Sequence, residues 1–119
     1  REIPRTEKER MCFYEDKYRE LIKSNVTAVF AVSDFYALEL MRFLQGKGIQ
    51  IPEDIQIIGF DDNTASRESN PALTTIHQEA ALRAKTAIEC LEAMRDGAEC
   101  ETEIVLPVEL IKRESTRGL

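Results

Sequence analysis

Two short apolar runs, each ended by polar residues, dominate the pattern of the chain. Residues 26–32 and 55–60 are continuous apolar stretches rich in β-branched side chains, the pattern of parallel strands covered on both faces. Ser33 and Asp34 follow the earlier run, and a pair of acids follows the later one. Because a helical segment separates the runs, both polar ends are expected at the carboxyl edge of one sheet, where open α/β sheets bind ligands.

Helical spacing of apolar residues accounts for most of the remaining chain. It predicts amphipathic helices over residues 6–24, 35–46 and 79–95. Asp34 is the expected N-cap of the second helix, because its carboxylate accepts hydrogen bonds from free backbone N–H groups. Residues 63–71 are mostly polar and are predicted to form a loop.

Two further strands complete the prediction. Residues 73–76 form a short strand, and residues 104–110 alternate apolar and polar side chains, with Pro107 indicating an edge strand or a crossing segment. Alternating strands and helices predict an α/β fold with a mainly parallel sheet in a three-layer αβα arrangement. Helices 6–24 and 35–46 are expected on the faces of that sheet.

Composition narrows the class of protein. The 119 residues suit one small domain, and 16 basic against 22 acidic residues give a net charge of −6, which argues against direct binding of nucleic acid or a bilayer. No apolar run reaches the length of a membrane span. The three cysteines are odd in number and lack metal-ligand spacing, so we expect reduced thiols, a cytoplasmic location and neither metal nor cofactor. The chain does not start with Met, and we expect it to be a piece of a longer protein.

The residues at the predicted carboxyl edge allow more than one chemistry. Asp61 can accept hydrogen bonds from ligand hydroxyls or stabilise a turn, and Asp62 is assigned to the turn. The adjacent acids also allow a metal-dependent phosphatase or a phosphoacceptor site, which needs further acids or a lysine; Lys47 is predicted at the opposite edge. His77 is the only histidine in the sequence. It is expected to be solvated, and no catalytic triad is predicted.

Three stretches occur in a specific order: TAVFAVSDFYALELMRFLQGKGIQIPEDIQIIGFDD, then NPALTTIHQ, then EIVLPVELIKREST. They contain strand-Ser-Asp, Gly-x-x-Ile-Pro-x-Asp, Gly-Phe-Asp-Asp, Pro-x-Leu-Thr-Thr and Leu-Pro-x-x-Leu-x-x-Arg-x-Ser, which are specific as a set. Together, over residues 12–117, the chain resembles the C-terminal half of the lactose-repressor/galactose-repressor (LacI/GalR) family. It departs from that family at Glu39 and Ala84, where glycine is common.

The resemblance implies an effector-sensing domain with the fold of type I periplasmic binding proteins. Residues 1–78 would form its C-terminal lobe, residues 79–106 would belong to an otherwise missing N-terminal lobe, and residues 107–119 would return to the C-terminal lobe. A small molecule would bind between the lobes. Operator DNA would be bound only through a helix-turn-helix headpiece outside this chain.

The resemblance also assigns roles to residues at the sheet edge. Asp61 and Ser33 occupy ligand positions of the family, and Gln78 lies where the chain of the family crosses between the lobes, so that its amide can bind a ligand and sense closure. Phe60 is a ligand candidate on its own chemistry, because its ring can stack on a ligand ring. An alternative role stays open for each residue. Asp61 would be a turn acid and Ser33 a strand-end hydroxyl. Gln78 would be an exposed hinge residue and Phe60 a core aromatic. Because acids and hydroxyls dominate this half-site and positive charge is scarce, we expect a neutral polyhydroxyl effector such as a sugar or nucleoside.

A homodimer is a further implication. Dimers of the family pack through the second predicted helix and the polar loop, which here places Phe35, Glu39, Arg42 and Arg67 at the interface. Without the missing lobe, the apolar face of helix 79–95 would be exposed to water. We therefore expect that face to pack on the core of its own chain or on a second copy. A periplasmic sugar-binding protein shares the fold and is the alternative, which the upstream part of the gene would distinguish.

Overall fold

The computed structural model describes residues 3–118. Its elements follow in the order α1 (Glu7–Lys23), β1 (Ala28–Phe30), α2 (Asp34–Gly46), β2 (Gln56–Ile58), α3 (Thr64–Glu68), β3 (Thr75–Gln78), α4 (Ala80–Arg95) and β4 (Val108–Ile111). The predicted order is confirmed except for α3, which lies in the segment predicted to be a loop. Asn63 starts α3 as its N-cap, because its side-chain oxygen accepts a hydrogen bond from Ser66 N at 2.9 Å.

The sheet is mainly parallel, as the alternation of strands and helices predicted. β1 and β2 pair in parallel, and β3 joins β2 through parallel bridges between Ile58 and Thr74 and between Asp61 and His77. β4 then pairs antiparallel with β3. The carboxyl ends of β1 and β2 meet at one edge, since Asp34 N donates to Phe60 O at 2.8 Å. The α/β fold class is thereby confirmed.

β1 and β2 are shorter than the apolar runs that predicted them, and β3 has the predicted four residues but begins two positions later than the predicted strand 73–76. Residues 26–32 contribute only the three residues of β1 and residues 55–60 only the three of β2. The end of the first run extends beyond the residues that pair with β2, and its last residue, Val32, is 66% exposed. The predicted strand 104–110 was wrong in its first half, because β4 starts only after Pro107, which has no N–H to donate to a neighbouring strand.

The hydrophobic core lies between α1, α2 and one face of the sheet. It consists of Tyr14, Ala37, Leu38, Leu40, Met41, Leu44, Ile51, Ile55, Ile57 and Leu73. Val29 of β1 packs against this cluster, whereas its neighbour Phe30 points to the other face and is 62% exposed. Among the described elements, α1 and α2 therefore cover the same face, and no described helix forms the third layer of the predicted arrangement.

Asp34 has a different role from the one predicted for it. The N-cap of α2 is Ser33, whose Oγ accepts a hydrogen bond from Tyr36 N at 3.4 Å, and Asp34 is the first residue inside the helix. The Asp34 carboxylate is fully buried and accepts hydrogen bonds from Thr75 Oγ1 and, at 2.8 Å, from Asn63 N. It therefore joins the start of α2 to β3 and to the start of α3.

Helix α4 extends away from this core. None of its residues is buried, and the exposed fractions of Leu82, Ile88, Leu91 and Met94 are 42%, 55%, 65% and 64%. Of the two partners expected for this face, the core of its own chain is therefore excluded, and packing on a second copy stays a prediction. The physical reason is the connection: α4 follows the last residues of β3 directly and leaves the sheet at its carboxyl edge, so its apolar face does not reach α1 or α2.

Candidate functional site

Asp61 stands where the sequence placed it, at the carboxyl edge just beyond β2. Its backbone N–H donates to Ile76 O at 2.9 Å, which fixes it beside the end of β3. Its φ angle of 117° lies outside the region that L-residues prefer, and its side chain is exposed. The Asp61 carboxylate accepts a hydrogen bond from Gln78 Nε2 at 3.2 Å. The structure therefore brings together two of the four predicted ligand residues.

A groove of about 490 Å³ opens beside this pair. It is lined by Asp61, Gln78, Ala80, Arg83, Ala84 and Ala87. Sequence reasoning missed Arg83, which donates through Nη1 to Gln78 Oε1 at 2.8 Å. Helical spacing is the sequence signal that could have indicated Arg83. The alanines that share the groove with it lie three to four positions apart, on one face of α4.

Ser33 and Phe60 lie outside this groove. The Ser33 hydroxyl caps α2, as described above, and is half-buried. Phe60 is also half-buried, and its carbonyl accepts the hydrogen bond from Asp34 N. Both residues remain at the same edge of the sheet as Asp61, but the described contacts give them structural roles.

Asp62 is the centre of an ion-pair cluster, where the sequence predicted a turn residue. Its side chain is only 6% exposed and lies 2.5 Å from Arg113 Nη2, 3.3 Å from Arg67 Nη2 and 2.9 Å from His77 Nδ1. Burial alone would raise the pKa of Asp62, but the hydrogen bonds from Arg113 and Arg67 outweigh that effect and lower the pKa below its usual value. Asp61 and Asp62 thus face different partners although they are adjacent.

His77 was predicted to be solvated, and that prediction was wrong. Its imidazole bridges two acids, with Nδ1 2.9 Å from Asp62 Oδ2 and Nε2 2.8 Å from Glu79 Oε1. The hydrogen bonds with Glu79 and then Asp62 raise the pKa of His77 above its usual value. Because Glu79 is the N-cap residue of α4, His77 connects the ion-pair cluster to the start of that helix.

Three of the four residues assigned to a dimer interface lie on α2 and the fourth lies on α3, and their surroundings differ. Phe35 is 55% exposed, and Cζ of the Arg10 guanidinium lies over its ring, 5.4 Å from the ring centroid. Glu39 is bound within the chain, because it accepts hydrogen bonds from Arg10 and from Tyr14. Arg42 and Arg67 are exposed.

A second groove, of about 380 Å³, separates α2 from α3. Its lining combines apolar and polar side chains: Leu38, Met41, Arg42, Gln45, Ala65, Glu68, Ser69 and Asn70. Within residues 3–118, no cluster of three or more His, Cys, Asp or Glu side chains has an arrangement that would hold a metal ion. No helix in that part of the chain has the length and apolarity needed to cross a membrane.

Comparison with known proteins identifies the family of the chain. A model of the periplasmic binding protein-like domain matches residues 2–116. The chain is 34% identical over 103 residues to the HTH-type transcriptional regulator MalR of Clostridium butyricum, which covers 86% of this chain and 31% of that protein. The chain therefore spans about a third of the length of that relative.

Two solved structures share the fold over most of the chain. The lac repressor dimer bound to operator and the anti-inducer ONPF matches with a TM-score of 0.78 and 32% identity, over 89% of this chain and 37% of that one. A periplasmic binding protein/LacI transcriptional regulator from Alkaliphilus metalliredigens QYMF, complexed with D-xylulofuranose, matches with a TM-score of 0.74 and 34% identity, over 87% of this chain and 38% of that one.

The parallel sheet and the polar groove at its carboxyl edge define an α/β domain of the periplasmic-binding-protein type. The match to the family model extends over nearly the whole chain. The chain belongs to the periplasmic binding protein-like domain family. Its relatives are regulators of the LacI type, which confirms the resemblance read from the sequence motifs.

Proposed function

We propose that this chain is the effector-sensing and dimerisation part of a LacI-type transcriptional regulator. The observation that carries the proposal is the contact between Asp61 and Gln78 in the groove beside α4. A carboxylate and an amide side by side provide several acceptors and two donors, which suits a ligand with several hydroxyl groups. The D-xylulofuranose in the Alkaliphilus regulator supports a sugar-like ligand class.

The arrangement suggests how binding would change the shape of the protein. Residues 1–78 and 107–119 would form one lobe, and residues 79–106 would belong to a second lobe supplied by the rest of the protein. The exposed apolar face of α4 supports this assignment, because it needs a partner to be removed from water. A ligand held by Asp61 on one lobe and by α4 on the other would then favour the closed arrangement.

The readout of that change lies outside this chain. Closure would alter the affinity of a helix-turn-helix headpiece for operator DNA. Two relatives support this readout: the lac repressor structure contains operator DNA, and the Clostridium relative is an HTH-type transcriptional regulator. The protein would act in the cytoplasm, as a regulator and not as an enzyme. A periplasmic sugar-binding protein is the alternative, and the upstream part of the gene decides between them by encoding a DNA-binding headpiece or a signal peptide.

The phosphatase alternative finds less support in the geometry. Such a site needs both acids directed at one metal ion or phosphoryl group. Asp61 faces the groove and Gln78, whereas Asp62 is held by Arg113, Arg67 and His77.

The proposal is tested by substituting Asp61 in the full-length protein. Asp61→Ala should weaken effector binding by more than about tenfold, because a charge-assisted contact to a ligand hydroxyl contributes roughly 1.5–3 kcal/mol. Calorimetry measures the effector affinity, and fluorescence anisotropy measures operator binding, which should not change. Asp96→Ala, at the far end of α4, is the matched control. Unchanged effector affinity in Asp61→Ala would reject the assignment.

We also propose that the protein is a homodimer. Phe35 and Arg42 are exposed on α2, Arg67 is exposed on α3, and a groove separates these two helices. Such a surface suits a two-fold interface in which one patch meets its own copy. Glu39 would contribute indirectly, since it holds Arg10 against the Phe35 ring. Sedimentation of full-length protein at micromolar concentration should show a dimer, and Phe35→Lys should shift it towards monomer. A wild-type monomer under those conditions would contradict the proposal.

A further inference from the structure

The groove beside Asp61 contains a positive charge that the sequence motifs did not indicate. Arg83 donates to Gln78 Oε1 at 2.8 Å, and Gln78 donates in turn to Asp61 Oδ1 at 3.2 Å. A guanidinium, an amide and a carboxylate therefore follow one another along one wall of the groove. The expectation of a half-site with little positive charge does not hold once α4 is placed beside the sheet.

The Arg83 guanidinium is available to a ligand. Its described hydrogen bond uses one of several N–H donors and ends on a neutral amide. Over residues 3–118 no carboxylate forms an ion pair with Arg83. Two other cations of the same helix are paired: Lys85 with Glu89 and Arg95 with Asp96. Arg83 thus differs from its neighbours in facing the groove with its charge uncompensated.

The groove has the size and lining of a site for a small polar molecule. Its volume of about 490 Å³ falls within the range of ligand pockets. Ala80, Ala84 and Ala87 form the wall on the side of α4, and their small side chains leave the space between Arg83 and Asp61 open. A ligand in that space would meet a cation at one end and a carboxylate at the other.

We propose that Arg83 is a specificity-determining residue that selects a polyhydroxyl ligand bearing one carboxylate, that is, a sugar acid. This inference rests on the function proposed above and narrows its ligand class. The planar guanidinium matches a carboxylate with two parallel hydrogen bonds. Asp61 accepts hydrogen bonds from hydroxyls at the other end of the ligand, and the Gln78 amide bridges the two.

The balance of charge in the groove favours a carboxylate over a phosphate. Asp61 and Arg83 contribute one charge of each sign, so a ligand with a single negative charge gains the attraction of Arg83 at limited repulsion from Asp61. A sugar phosphate carries close to two negative charges at neutral pH and would experience both effects more strongly. Because a dianion costs more to desolvate than a monoanion and the groove offers one cation to either, the singly charged acid is the better match.

The test compares matched ligands on the full-length protein by calorimetry. Glucose, galactose and mannose are each titrated beside their uronic and aldonic acids and beside their 6-phosphates. We expect one acid to bind at least about tenfold more tightly than its parent sugar, because a bidentate contact to Arg83 is charge-assisted. In Arg83→Gln that preference should disappear, and in Arg95→Gln, the matched control on the same helix, it should persist. Circular dichroism confirms that each variant is folded.

Each contrary outcome has a distinct meaning. If a neutral sugar binds as tightly as its acids, the specificity inference is wrong while the proposed function stands. If Arg83→Gln weakens the sugar and its acid equally, Arg83 is a positioning residue for Gln78 and the inference is also wrong. A 6-phosphate that binds more tightly than the acids overturns the assignment to carboxylates. Binding of no sugar, acid or phosphate overturns the proposed function together with the inference.

Discussion

The guanidinium of Arg113 lies 2.5 Å from the carboxylate of Asp62, although 51 positions separate the two residues in the sequence. Through Nη1, Arg113 also donates to Ser66 Oγ and to Leu73 O, both at 3.0 Å. Two residues on, the Ser115 hydroxyl donates to Ile57 O at 2.6 Å. The segment after β4 therefore holds the end of β2, the start of α3 and the start of β3 together, which gives a physical reason for the Arg-x-Ser motif.

Loss of Arg113 should destabilise the fold strongly. Arg113→Ala leaves a nearly buried carboxylate without its main partner, and breaking such a pair costs about 3 kcal/mol or more. Arg67→Ala removes a contact of the same Asp62 from a side chain that is 58% exposed, so it should cost less than about 1 kcal/mol. Urea denaturation measures both free energies of unfolding. Equal losses of unfolding free energy in the two variants would show that burial of the ion pair does not determine its contribution to stability.

The bridge made by His77 should make stability depend on pH. Its folded-state pKa is raised by Glu79 and Asp62, so the stabilisation is complete below the unfolded pKa of about 6.5 and is lost as the pH rises through the folded value. The difference in melting temperature between wild type and His77→Gln should therefore be larger at acidic pH than at alkaline pH. A difference independent of pH would contradict the bridge.

The same bridge can be followed directly by nuclear magnetic resonance. The sequence has one histidine, so the imidazole resonances need no assignment. Glu79→Gln should move the His77 titration back towards its usual range, because Glu79 is the larger cause of the raised pKa. Glu89→Gln, elsewhere on α4, is the control and should leave the titration unchanged.

Sequence reasoning predicted the elements better than it predicted the contacts between them. Apolar runs and helical spacing located the sheet and three of its helices, because burial of one face repeats locally along the chain. The main partner of Asp62, Arg113, is distant in the sequence. The position of Arg83 beside the groove depends on the direction in which α4 leaves the sheet. α3 was missed because its five residues are too few to show helical periodicity, although Asn63 was a usable N-cap signal.

The contact between Gly59 and Asp34 should not tolerate a side chain. A Cβ at position 59 would lie 2.3 Å from Asp34 Oδ1, 2.9 Å from Leu73 Cδ2 and 3.2 Å from Asp34 Cα. Because the Asp34 carboxylate is fixed by its own buried hydrogen bonds, the clash cannot be relieved by a simple rotation. Gly59→Ala should lower the free energy of unfolding by about 1–3 kcal/mol.

Gly46 provides the control for that substitution. Nothing lies within 4 Å of a Cβ placed on it, and it is the last residue of α2. Gly46→Ala should be neutral or stabilising by up to about 1 kcal/mol, because alanine favours helices. Urea denaturation of both variants should give effects of opposite sign. A neutral Gly59→Ala would show that the approach of Asp34 to the strand is looser than the structure indicates.

The apolar face of α4 should behave differently in the isolated 119 residues and in the full-length protein. In the isolated chain, Ile88 and Leu91 are 55% and 65% exposed, and contiguous exposure of this kind drives association. Sedimentation velocity should show self-association that the double variant Ile88→Gln/Leu91→Gln reduces. The double variant Glu89→Gln/Glu92→Gln, on the same helix, should not reduce it.

In the full-length protein the same face should be covered by the second lobe proposed for residues 79–106. Ile88→Gln/Leu91→Gln would then remove two buried apolar side chains from a core, at roughly 1.5–3 kcal/mol for each, and should lower the free energy of unfolding by at least about 3 kcal/mol. Surface substitutions away from such features usually change it by less than about 0.5 kcal/mol. A change of that small size in the full-length protein would mean that α4 stays in water, and the assignment of residues 79–106 to a second lobe would be wrong.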